Sequence, residues 1–151
     1  MNVDSSNSAA VASLRALVMS LLSTLVVQFI LGMYANLDVS FASGAQSSSP
    51  PMAQSMGGMQ TVVDHPALMI HMVLGFVIAI LAIAALVVAL KTGIPGAVWL
   101  GAIGLAAVAA AGIGGMTFVM AGQSNASSYV MAIGFLVSFS CYFAELTVAR
   151  R

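Results

Sequence analysis

Four apolar runs dominate the chain, over residues 16–37, 67–90, 97–122 and 129–148, and Glu145 is the only charged residue inside any of them. Each is long enough to cross a hydrocarbon core of about 30 Å, which takes roughly 20 helical residues. No water satisfies peptide groups in such a core, so each run is expected to be a helix, which pairs its own. The expected fold is therefore all-α. One transmembrane domain covers residues 1–151, a polytopic, up-down bundle of four helices with mostly short connections.

Composition narrows the function classes. The chain is 61% hydrophobic and 5% charged, against roughly 25% charged in a soluble domain, so its surface could not be covered for water. A soluble enzyme domain, a nucleic-acid binder and a disordered regulator are excluded as expectations. The single cysteine, Cys141, leaves no internal disulfide and no multi-cysteine zinc site. No P-loop, nucleophile elbow or dinucleotide fingerprint occurs, so the reading leans away from an enzyme.

Punctuation between the runs agrees with four helices. Pro66 suits the first helical position of span two, with His65 as its cap. Residues 91–96 and 123–128 read as compact turns. The 38–66 loop is rich in Ser, Gly and Met, contains Pro50-Pro51, and is expected to be irregular, a flap over the bundle mouth. Arg15, Lys91, Arg150 and Arg151 all sort to one side, and the loops on the other side hold no Lys or Arg. The positive-inside rule then makes both termini cytoplasmic, in a multi-pass protein of the cell (inner) membrane. A signal peptide ending near Ala42 or Ala45 is the competing parse. Span one is longer than a usual h-region and its leader carries Asp4, so the uncleaved reading is preferred.

Spacing within the spans marks faces. Span one repeats Ser20, Thr24, Gln28, Gly32 and Asn36 at every fourth position, a stripe expected to face protein. An amide such as Gln28 near mid-membrane is expected to bond across helices, for about 0.6–2 kcal/mol. Span four offers Gly134, Ser138, Cys141 and Glu145, and Glu145 is expected to pair with Arg15 or Arg150 at the cytoplasmic boundary. A proton relay is the sharper alternative for Glu145.

Methionine and histidine concentrate at the other end. Met33, Met52, Met56, Met59, Met69, Met72, Met116, Met120 and Met131 fall in the outer half or outer loop, with both histidines, His65 and His71. Three readings stay open. The first is packing alone, since methionine fills irregular gaps. Thioether and imidazole also suit Cu(I), with Met33, Met52, Met56, Met59, Met69, Met72, Met116, Met120 and His71 as ligands. Alternatively His71 ligates a haem b, with His65, Met116 or Met120 opposite and Gly75 leaving room for the macrocycle.

Two family resemblances attach to these residues. Met116-x-x-x-Met120 at the outer end of a span resembles the pore motif of eukaryotic copper transporters, which differ in having three spans and an outer N-terminus. Gln28-Phe29-Ile30-Leu31-Gly32-Met33-Tyr34, then an outer loop, then a histidine early in span two, resembles one four-helix half of haem A synthase. That likeness covers spans one and two and implies a haem site at His71. The Glu-x-x-x-His-Arg pattern and a histidine in span four are missing, so a bis-histidine pocket would need a second copy or a methionine ligand. The expected function is a small integral membrane subunit or accessory protein of a larger complex, respiratory in type, with haem at His71. Its alternative is a copper(I)-handling membrane protein. Expected partners are the lipid bilayer and other membrane subunits or further copies of the chain, and no nucleic acid.

Overall fold

The computed structural model describes residues 3–39, 51–120 and 124–149, with no side chains described at 3–6, 51–55, 57 and 58. Five helices follow in order: α1 (Val3–Asp38), α2 (Pro51–Asp64), α3 (Pro66–Thr92), α4 (Pro95–Met120) and α5 (Asn125–Val148). Four of them, α1, α3, α4 and α5, are long and apolar enough to cross a membrane. They match the four apolar runs, and α1 begins well before residue 16, in the polar leader.

Helix ends follow local chemistry. Pro66 stands in the first turn of α3, and His65 before it is extended (φ −117, ψ 98), as the ring of a following proline requires. His65 occupies the cap position without capping by its side chain. Its Nδ1–H instead donates to the Thr61 carbonyl at 2.9 Å. Gly93 ends α3 in the left-handed region, φ 67, where a β-carbon would be strained. Ser124 caps α5 by accepting from the Ser127 amide at 3.2 Å.

The expected irregular loop is corrected over residues 51–64, which form α2. Pro51 opens it, where a missing N–H costs nothing, and Pro66 stops it through His65. Its anchor is tertiary. Val62 is buried with Ala35, Val39, Leu68 and Phe118, and Met72, Val119 and Met131 pack around that cluster. α2 thus lies against α3 and α4 at the methionine-rich end. Residues 40–50 lie outside the described residues.

The four long helices form a closed ring. α1 packs on α3 and α5, and α4 packs on the same two. Their buried faces share one rhythm. On α1 the seam runs Leu14, Val18, Leu21, Leu25, Gln28, Gly32, Ala35, with Gln28 and Gly32 half-buried, and Val39 just past the helix end continues it. Steps of four and three alternate, which is the 3.5-residue period of a left-handed supercoil. The expected four-residue stripe is corrected accordingly. Steps of four advance about 400° on a helix of 3.6 residues per turn, so such a stripe winds out of the seam. Ser20 is exposed, whereas Gln28 and Gly32 face α3, and exposed Asn36 accepts from Ser128 Oγ of α5 at 3.0 Å.

Small residues set the helix spacing. At Gly134 of α5 a β-carbon would stand 2.8 Å from both the Ala107 carbonyl oxygen and Ala111 Cβ of α4. Close approach of this kind supplies the dispersion that holds helices together where lipid is as apolar as leucine. Elsewhere Phe29 of α1 stacks on Phe135 of α5, centroids 4.6 Å apart.

Candidate functional site

Two polar pairs lie in the seams of the bundle, one toward each end, the first half-buried and the second fully buried. Toward the methionine-rich end, Gln28 of α1 meets His71 of α3, Nε2 to Nε2 at 3.2 Å. An amide nitrogen offers only hydrogens, so the imidazole Nε2 accepts and the neutral ring carries its proton on Nδ1. That Nδ1 and Gln28 Oε1 are buried without hydrogen-bond partners. Glycines make room on both sides. A β-carbon at Gly32 would lie 3.1 Å from His71 Cε1, and one at Gly75 would lie 3.4 Å from Gln28 Nε2. The expected bond from Gln28 across helices is present, and its partner is His71.

Haem and copper place a definite demand on this pair: a ring nitrogen with a lone pair and open space before it. His71 Nε2 is taken by Gln28, and Nδ1 is buried with less than a water's contact area. The pair as packed therefore does not fit a metal at His71. The methionines do not converge on it either. Met33, Met56, Met59, Met69, Met116 and Met120 are between 41% and 69% exposed. Met72 and Met131 pack on the cluster around Phe118, and the side chain of Met52 lies outside the described residues. Among the described residues no three His, Cys, Asp or Glu side chains gather as a metal-binding group. His65 differs from His71: with Nδ1–H held by Thr61, its lone pair is on Nε2.

The second pair is on α5. Glu145 and Tyr142 are each 0% exposed. Neither carboxyl oxygen has a hydrogen-bond partner, nor does the Tyr142 hydroxyl. Both side chains lie in glycine notches of α4. A β-carbon at Gly101 would stand 3.3 Å from Glu145 Oε1, and one at Gly104 would stand 2.8 Å from Tyr142 Cζ. The expected ion pair of Glu145 with Arg15 is corrected by this packing. The seam turns the carboxyl toward Gly101, while Arg15 is exposed and lines a groove of about 340 Å³ with Ala12, Ala16, Met19 and Leu146. Arg150 and Arg151 lie outside the described residues.

Tyr142 escaped the sequence reading because it looks like any apolar aromatic. The usable signal was on the facing helix, where Gly101 and Gly104, three residues apart, leave a trough that large side chains must fill. A smaller polar link joins α4 to α5, Thr117 Oγ1 to Ser127 Oγ at 3.0 Å. Compared with known proteins, the chain matches no family model, no curated protein and no solved structure.

Proposed function

We propose that the chain is an integral membrane protein that serves as a subunit or accessory protein of a larger membrane complex. Exposed aromatics support the embedding. Trp99 and Tyr129 are 71% and 69% exposed, at opposite ends of the bundle. Gly101 faces Glu145 and Gly114 faces Val130, so Tyr129 stands level with the α4 residues just beyond Gly114. Trp99 and Tyr129 are then roughly 25 Å apart along the bundle, at 1.5 Å per residue. Two aromatic belts at that separation suit the two faces of a hydrocarbon core. By the positive-inside rule Arg15 and Lys91 support a cytoplasmic Trp99 end, in the inner membrane of the cell.

One observation carries the subunit reading. Of the long polar groups of the seam, Tyr142 and Glu145 are fully buried and Gln28 and His71 are half-buried against each other, while the outer surface is apolar, with Phe76, Ile80, Ile113 and Leu136 all exposed. A chain with its chemistry sealed acts through its surface. Extraction in a mild detergent and native mass analysis test this. A stoichiometric second polypeptide is expected, recovered with a tag on either chain. Multiples of 15.3 kDa alone would replace the partner with copies of this chain, and a lone monomer overturns the reading.

A copper(I)-handling role is the second reading, favoured by α2. Helix formation puts Met56 and Met59, both exposed, on one face, and His65 beyond them keeps its Nε2 lone pair. Soft sulfur and imidazole ligands of this kind select Cu(I). Competition for Cu(I) against a coloured chelator tests it.

A further inference from the structure

We propose that Glu145 is a reversible proton-binding site, reached from the basic end of the bundle through the groove between α1 and α5. An ionised carboxylate enclosed without a partner is strongly disfavoured, and neither Glu145 oxygen has a hydrogen-bond partner or surface open to solvent. A metal cation would not relieve it. A hard cation such as Ca²⁺ takes about six or more oxygens, and both carboxyl oxygens are packed too tightly to touch a water. A proton needs no added room. The enclosed carboxyl is therefore held as the neutral acid.

The surroundings supply an exit. Next to Glu145 on α5, Leu146 lines the groove, and so does Arg15 of α1. Taking each packed element in turn, α5 itself brings Cys141 and Tyr142, and α1 brings Arg15 only as far as the groove that Leu146 also lines. α4 brings Gly101, and α3 brings Leu86, which also borders the Gly101 notch and does not titrate. Among the described residues Arg15 is thus the cation that lines the groove beside Leu146. On release the carboxyl O–H bond breaks, its electron pair stays on oxygen, and the proton passes to groove water as hydronium. The α1–α5 seam parts enough for the Arg15 guanidinium to neutralise the carboxylate. Acidity at the basic end is in this way coupled to the packing of α5.

The test uses the full chain in lipid nanodiscs and dicyclohexylcarbodiimide, an apolar reagent that takes the proton of a carboxylic acid as the carboxylate oxygen adds to its central carbon. Intact mass and peptide mapping should give one adduct, on Glu145, and none in Glu145→Gln. The labelling rate should fall about tenfold per pH unit above a single midpoint, as one titrating acid requires. Arg15→Gln should move that midpoint up, because the carboxylate loses its cation, and Arg15→Lys should restore it. The infrared carbonyl band of a protonated acid in the native chain should vanish over the same pH range, whether or not the Gln variant folds. Labelling of Glu145 by a water-soluble carbodiimide alone overturns the proposal, as does a rate that ignores pH. An unmoved midpoint in Arg15→Gln overturns the route through the groove.

Discussion

The Tyr142 ring lies against Gly104 so closely that a β-carbon there would stand 2.8 Å from Cζ and 3.0 Å from Cε1. The ring is fully buried, so it has little freedom to yield. Gly104→Ala should lower stability by about 1–3 kcal/mol, the usual effect of overpacking. Adding Tyr142→Leu should recover part of that loss, because the two sites share one volume. Gly112, exposed and with nothing within 4 Å of its β-carbon position, is the control. Gly112→Ala should leave stability unchanged or raise it by up to about 1 kcal/mol. Unfolding in mixed micelles of mild detergent and dodecyl sulfate measures all four proteins.

Gln28 and His71 should be energetically coupled. A double-mutant cycle with Gln28→Leu and His71→Leu is expected to give an interaction of about 0.6–2 kcal/mol, the range of hydrogen bonds between helices in membranes. A value near zero would mean that the 3.2 Å contact adds nothing beyond shape.

Orientation can be read chemically. In a Cys141→Ser background, Asn125→Cys should be labelled from outside intact cells by an impermeant maleimide. A fluorescent protein fused after Arg151 should fold and shine in the cytoplasm. Label at Asn125 only after the cells are opened would reverse the assigned sides.

For the copper reading, Met56→Leu with Met59→Leu should weaken Cu(I) retention at least tenfold, while the chain stays folded because leucine keeps the volume. His71→Leu should leave that affinity unchanged, since Nε2 is held by Gln28 and Nδ1 is covered by packing. Retention unaffected by the methionine pair would remove α2 from the copper reading.

Much of the fold was legible along the chain. The four apolar runs, Pro66 at the start of α3, and the turn at Gly93 and Pro95 follow from lengths and local backbone rules. The seam on α5 was visible at Gly134, Ser138 and Glu145, whereas Cys141, expected with them, is only half-buried and Tyr142 beside it fills the seam. The seam on α1 was harder to read. Steps of four and alternating steps of four and three differ by only one residue in seven, and only the packed neighbours show which is in use. α2 was hidden for another reason. Gly57 and Gly58 weaken its local preference, and its hold comes from Val62 meeting residues far away in sequence.

The sequence by itself determined how many membrane-length apolar runs there are, where the chain turns between them, and that charge is confined to the ends of those runs with the exception of Glu145. Those are properties of neighbouring residues, set by apolar length and backbone sterics. Which polar groups meet was decided by the tertiary structure alone. The rotation of each helix about its axis gives His71 to Gln28 and turns Glu145 toward Gly101, away from Arg15. That rotation is chosen by the closest packing of small residues across the seams, a sum over many contacts that no single stretch of chain contains.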